Sequence, residues 1–344
     1  MTSQNWKDFF EASGVASSVL PYWFQGLYRD QDLFKKHISV KLMEKVKDNF
    51  AFALPEIRKT QEAADGTIKF QMKMPDGLEV ETVLIPFHKR FTICLSTQVG
   101  CGMNCSFCYT GTMGLSRNLT AGEIVGQYLV AHSYLLKKSP SAMKPSIVFM
   151  GQGEPLHNAN ELKKAIEILN HNHMADVSLR QMTLSTVGYL PGMLNLRDFP
   201  RVNLALSLHS PFEEERNQLI PVNQKYPLKD VMAVFDEIPL LTRQFITFEY
   251  LLIKDFNMSE RHADEVALLL GKRKAIMNLI PMNPFPGSKW ERPDENAIEI
   301  FRKLLVARKL RVMVRETKGN DILAACGQLK VESSAKRRVR ENAN

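Results

Sequence analysis

From Phe91 to Arg315 short apolar segments alternate with amphipathic ones, and this alternation constrains the fold more than any other feature of the chain. FTICLS, SIVFM, QMTLST, VNLALSL, FITFEYLLI, AIMNLIP and LRVMVR are too short for helices and rich in β-branched residues, which predicts strands. Between them TAGEIVGQYLVAHSYLL, ELKKAIEIL, LKDVMAVFDEI, RHADEVALLL and NAIEIFRKLLVARK carry apolar residues at three- and four-residue spacing, and Thr120 and Glu123 open the first of these with a capping box. Strand, helix, strand repetition predicts an α/β fold with a parallel sheet, open or closed as a barrel, whose ligands gather at the carboxyl ends of the strands.

The chain ahead of that pattern differs in texture. Residues 1–64 read as a small helical accessory domain, since WKDFFEASG, LPYWFQGLY and VKLMEKVKDNF have helical spacing. Residues 65–90 read as a β-hairpin extension, in which TIKFQMKM and LEVETVLI flank a turn at Pro75-Asp76-Gly77. The barrel and a C-terminal cysteine loop span 91–329, and 330–344 is a basic, flexible tail. No apolar run nears the roughly 20 residues that cross a bilayer, and the opening MTSQNWKDFFEASG lacks a signal core, so a cytoplasmic protein without a membrane partner is expected.

Four of the five cysteines fall close together: Cys94, Cys101, Cys105 and Cys108, with Cys326 far away. The run C-x3-C-x2-C follows the first strand of the alternating region and therefore sits where the fold predicts chemistry. Three thiolates leave one position of a metal group open, whereas structural zinc takes four ligands. A 4Fe-4S cluster held by Cys101, Cys105 and Cys108 keeps one iron free for a cofactor. With Phe107 just before the last cysteine, this spacing resembles the signature of radical S-adenosylmethionine enzymes. The alternative is a zinc site completed by a distant histidine, in a non-catalytic RNA-binding protein. Gly151-Gln152-Gly153-Glu154-Pro155 ends the second strand, where glycines admit a ligand and Glu154 can accept from an ammonium group. Ser185 ends the third strand and Ser207-Leu208-His209 the fourth; His209 alone reads as a structural histidine. By pattern alone Cys94 is a small buried hydrophobe, and Glu81 lies on the exposed face of a strand.

From about Asp65 to Leu329 the chain resembles the RlmN/Cfr family of radical S-adenosylmethionine RNA methyltransferases. The carrying segments are DGTIKF, VETVLIP, CLSTQVGCGMNCSFC, GLSRNLTAGEI, GQGEP, LSTVG, LSLHSP, RNQLIPVN, NLIPMNPFPG and DILAACGQL. The resemblance implies a partial (β/α)6 barrel, a 4Fe-4S cluster, S-adenosylmethionine, and methylation of an adenine ring carbon in 23S ribosomal RNA. It places cofactor contacts on Gly153, Glu154, Ser185, Ser207, Leu208, His209 and Asn283. It makes Cys326 the methyl carrier, Cys94 its resolving partner and Glu81 the proton acceptor. In the family scheme Cys326 takes a methyl group from one S-adenosylmethionine, and a second supplies the 5′-deoxyadenosyl radical that activates it. The resulting methylene radical adds to adenine, and Cys94 attacks the Cys326 sulfur to release the RNA as a disulfide forms. Gln152 stands where the family commonly has Met, and Tyr109 where smaller residues are common. NPFPG favours the RlmN branch, which acts on carbon 2 and in some cases on transfer RNA as well; the runners-up are carbon 8, as in the Cfr branch, and another RNA target.

Charge agrees with an RNA partner. Lys+Arg 45 against Asp+Glu 37 gives a net charge of +8, and Lys35, Lys36, Lys41, Lys45 and Lys47 cluster near one end, with Lys336, Arg337, Arg338 and Arg340 near the other. The target base must be unstacked to enter a barrel mouth, so loops and single strands are the expected substrates. A monomer served by an electron donor such as flavodoxin completes the expectation.

Overall fold

The computed structural model describes residues 54–331 apart from Lys89, His173, Arg243 and Lys272. The expected helical segment before residue 54, with Lys35, Lys36, Lys41, Lys45 and Lys47, lies outside the described residues, as does the tail with Lys336, Arg337, Arg338 and Arg340.

Ten strands form one open sheet in the order β1 (Glu56–Glu62), β2 (Ile68–Lys73), β3 (Glu79–Phe87), β4 (Arg90–Cys94), β7 (Ser146–Phe149), β8 (Met182–Thr186), β9 (Asn203–Ser207), β10 (Ile246–Leu252), β11 (Ala275–Pro281) and β12 (Val312–Val314). From β4 to β12 every neighbouring pair is parallel. The helices that cross between these strands include Ala121–Lys138, Ala159–Asn170, Glu213–Leu219, Leu228–Asp236, Glu260–Leu270 and Glu295–Ala307. This is the parallel sheet that the alternation predicted, in the partly closed form that the family resemblance implies. The unit from β4 through β11 is extended by the three-residue β12, and no pairing of β12 with β1 closes the ring. Apart from the largely exposed β12, these strands are mostly buried and read as near-continuous apolar runs. Phe149, Phe248, Tyr250 and Phe301 are fully buried, and each such side chain stabilises the fold by roughly 1.5–3 kcal/mol.

The N-terminal edge differs from the expectation. Residues 56–62 are not helical: they form β1, which pairs antiparallel with β2 and turns the expected hairpin into a meander that continues into β4. EIRKTQE hides this strand because it lies at the sheet edge with most of its side chains exposed. The Pro75-Asp76-Gly77 turn is as predicted, closed by Gly77 N–H to Met74 O at 2.9 Å and Met74 N–H to Leu78 O at 2.7 Å. The Thr120/Glu123 capping box is present as well. No helix among the described residues is long and apolar enough to cross a membrane.

Candidate active site

The cysteine loop does not follow β4 directly. A short strand β5 (Gln98–Gly100) intervenes and pairs with β6 (Leu115–Asn118) in a separate two-stranded sheet, so both ends of the segment carrying Cys101, Cys105 and Cys108 are fixed. Gly100 makes this approach possible: its φ is 77°, and a Cβ there would meet Gly114 O at 1.9 Å. Cys101 N–H donates to Gly114 O at 2.9 Å, and Ser106 N–H donates to Leu219 O at 2.9 Å, pinning the loop to the helix Glu213–Leu219.

The three thiols line a cleft at the carboxyl ends of the parallel strands, together with Gly153, Glu154, Ser185, Ser207, His209 and Glu249. The cleft opens onto about 940 Å³ of space, open solvent included. All three cysteines are free. Burial pushes the Cys101 thiol up to about 12, and burial likewise raises Cys105 and Cys108. Three such thiolates therefore need a metal group's positive charge to coexist. Among the described residues no three His, Cys, Asp or Glu side chains are grouped to hold a single metal ion. Three thiolates lining one cleft fit a cluster with one thiolate per iron and one iron left open.

Glu154 is buried, and its oxygens accept from Leu156 N–H at 3.1 Å and Val187 N–H at 3.0 Å. Burial raises its carboxyl to about 7 against the lowering effect of these bonds. Gly153 lets the strand end turn: its φ is 104°, and a Cβ would meet Gln98 Cβ at 2.6 Å. His209 accepts from Leu251 N–H at its Nδ1 at 3.0 Å, which leaves the proton on Nε2. Phe107 packs edge-on against its ring at 4.6 Å. Burial lowers His209 to about 3, so it is neutral. Leu208 does not line the cleft. Its side chain is wholly buried in the core, and only its backbone reaches the strand end.

A second cavity adjoins the first. Cys94, Asn283, Arg315, Cys108 and Cys326 line it, and Cys326, Arg315 and Cys108 line the cleft too. Cys94 packs with Ala324 and Leu329, on either side of Cys326 in sequence. Burial raises its thiol to about 12. The expected disulfide is not formed. Cys94 and Cys326 are both free thiols. Asn283 Nδ2 donates to Cys326 O at 3.4 Å, and Tyr109 N–H donates to Gly327 O at 2.6 Å.

Glu81 lines neither cavity. It is buried in an ion pair with Lys69 at 3.0 Å, and its other oxygen accepts from Lys330 N–H at 2.8 Å. Burial raises its carboxyl above the usual range even so, with Lys69 opposing. Gln152 lines neither cavity and accepts from Glu81 N–H at 3.1 Å. Tyr109 stacks on Phe285 at 4.6 Å and carries the Lys330 ammonium over its ring at 4.2 Å. Sequence reasoning missed Arg315, Glu249 and Arg216, whose roles depend on strands and helices meeting across the barrel. For Arg315 and Glu249 the available signal was a charged residue at or inside an apolar strand.

Residues 95–266 match the sequence model of the Radical SAM superfamily. The chain is 40% identical over 295 residues to a protein of Solidesulfovibrio magneticus named dual-specificity RNA methyltransferase RlmN, covering 86% of this chain and 84% of that one. A protein of the same name from Nitratidesulfovibrio vulgaris is 43% identical over 287 residues, covering 82% and 78%. Among solved structures, a radical SAM methyltransferase from Sphaerobacter thermophilus superposes with a TM-score of 0.89 at 35% identity, covering 96% of this chain and 98% of that one.

Proposed function

This chain belongs to the RlmN family of radical S-adenosylmethionine RNA methyltransferases, and we propose that it methylates carbon 2 of an adenine in 23S ribosomal RNA, with transfer RNA as a further substrate. The family's cofactors are a 4Fe-4S cluster and S-adenosylmethionine, which when bound supply one-electron cleavage of the sulfonium and hydrogen-atom abstraction. We assign Cys101, Cys105 and Cys108 as cluster ligands. Gly153, Glu154, Ser185, Ser207 and His209, with the backbone of Leu208, bind the S-adenosylmethionine side. Asn283 orients the backbone of Cys326.

The observation that carries the reading is the position of Cys326, which lines both the cleft of the three cysteines and the cavity of Cys94. A ring carbon of adenine is a poor nucleophile, so a sulfur that first carries the carbon to be transferred is needed; Cys326 is that sulfur. Cys94 frees the RNA by attacking it, with a disulfide as product. Glu81 accepts the proton of the ring carbon, a role that requires Lys330 to move off its carboxylate. The relatives' name, dual-specificity, supports more than one RNA substrate. The basic residues of segments 1–64 and 330–344 contact RNA phosphates. The enzyme works as a cytoplasmic monomer with a one-electron donor such as flavodoxin.

Anaerobic turnover with S-adenosylmethionine, reductant and protein-free ribosomal RNA, followed by mass spectrometry of the adenosines, tests the reading. 2-Methyladenosine is expected. 8-Methyladenosine would move the enzyme to the other ring carbon, and the absence of both products would overturn the proposal.

A further inference from the structure

Arg216, on the helix Glu213–Leu219, is wholly buried. A guanidinium in that position is costly unless its donors find acceptors. Its Nε donates to Leu208 O at 3.2 Å, and its Nη2 to Val187 O at 2.7 Å and Ser207 O at 3.0 Å. Nη1 donates to the side-chain oxygen of Asn223. The three carbonyls belong to the carboxyl ends of β8 and β9, and Val187 and Ser207 line the cofactor cleft. The same helix bears on the metal-binding loop at its other end. Gln218 O accepts from Ser106 Oγ at 2.8 Å, Leu219 O accepts from Ser106 N–H, and Cys105 packs in one apolar cluster with Leu219 and Ile220.

We propose that Arg216 is a positioning residue of the cofactor cleft, one that fixes the ends of β8 and β9 and stands as a permanent positive neighbour of the cluster bound at Cys101, Cys105 and Cys108. This rests on the assignment of those cysteines as ligands. Burial lowers Arg216 to about 10, which leaves it charged at neutral pH, and Glu213 and the Cys105 thiolate favour that charge. The guanidinium also adds to the burial that keeps His209 neutral. Reducing a cluster adds negative charge, so a fixed cation beside it favours the reduced form and makes the potential less negative. Lysine keeps the charge but cannot span three carbonyls, because its ammonium is a point charge rather than a planar fork.

The test uses anaerobically purified protein with a reconstituted cluster and no RNA, and reads iron content, an electron paramagnetic resonance redox titration and the Kd of S-adenosylmethionine. In Arg216→Lys the potential should stay near that of the parent protein while S-adenosylmethionine binds about tenfold more weakly, a loss on the scale of one charge-assisted hydrogen bond. In Arg216→Gln the reduction equilibrium should in addition fall about tenfold, which is about 59 mV more negative for one electron. Parent-like potential and affinity in both variants would overturn the proposal, as would equal potential shifts in both, since distortion and not charge would then be the cause. If neither variant yields folded protein, Arg216 is a core strut and the proposal fails. A wrong ligand assignment shows itself separately, as a Cys105→Ala protein that keeps its full cluster signal with Arg216 intact.

Discussion

Two loops carry the cysteines to which we assign the sulfur chemistry, and they are held in different ways. The loop with Cys101, Cys105 and Cys108 sits on an apolar cluster of Met103, Leu219, Ile220, Met282 and Phe285 and is bracketed by a strand on each side. The loop with Cys326 contributes Ala324, Leu329 and the partly buried Ile322 to a small apolar cluster and is otherwise secured by polar bonds. Ala64 N–H donates to Asp321 at 3.0 Å, Gly319 N–H to Asp65 at 2.9 Å, Lys69 Nζ to Leu323 O at 3.1 Å and Lys330 N–H to Glu81 at 2.8 Å. Leu323 stands at φ 52°, in the left-handed region that non-glycine residues avoid. Each such bond contributes about 1 kcal/mol net, and such a segment opens locally at far less cost than a packed one. One loop is held chiefly by apolar packing, the other chiefly by hydrogen bonds.

The sharpest division between them is in iron. Replacing Cys101, Cys105 or Cys108 by Ala should abolish the brown chromophore and all methylation, whereas Cys326→Ala should abolish methylation and keep the iron. Visible absorbance and iron assay decide, and a retained chromophore in any variant of the first set breaks the comparison. Next in size is Cys94→Ala, which should halt turnover by trapping RNA on Cys326. The expected sign is a shifted, ribonuclease-sensitive band on a denaturing gel that Cys326→Ala removes in the same background. Normal product release by Cys94→Ala would withdraw the role given to Cys94.

Glu81→Gln probes the fastening of the second loop. It leaves Lys69, with 7% of its side chain exposed, as an uncompensated buried charge, at a cost of about 3 kcal/mol in urea denaturation, and deuterium uptake across residues 319–331 should rise. Unchanged uptake there would mean that the ion pair does not hold the loop. The smallest effect concerns the rigid cleft. Because burial raises Glu154 to about 7, the carboxyl is neutral below that pH and charged above it. An ammonium group needs the charged form, so S-adenosylmethionine affinity should fall as pH drops below about 7, by up to about tenfold per unit. Glu154→Gln should flatten that profile, and an equally steep profile in the variant would assign the titration elsewhere.

The division between the loops was only half legible in the sequence. The spacing of Cys101, Cys105 and Cys108 is local, and so is the apolar periodicity of β4 and β7–β12, so both could be read directly. The partnership of Cys94 with Cys326 joins residues more than 200 positions apart and came from resemblance alone. Glu81 read as a solvent-facing strand residue because its partners are a lysine one step away diagonally on β2 and a backbone N–H beyond the barrel. β5 and β6 escaped notice because strands of three and four residues leave too little periodicity to detect. Arg216 entered only within the resembling segment RNQLIPVN, since nothing in EEERNQL shows that three strand-end carbonyls converge on it.

The bonds that fasten the Cys326 loop have a consequence for the order in which this protein matures. Ala64 with Asp321, Asp65 with Gly319 and Glu81 with Lys330 are separated by 257, 254 and 249 residues. On a ribosome adding about 5–20 residues per second, the β2–β3 meander therefore waits about 12–50 s for its partners. Throughout that interval Lys69 and Glu81 have only each other and water, and the thiols of the metal loop lie open from the side the Cys326 loop later covers. Before Lys330 is made iron meets no Cys326 loop, and afterwards its entry depends on local opening of that loop, so slowing synthesis downstream of Cys108 should raise the fraction of molecules that receive a cluster during translation.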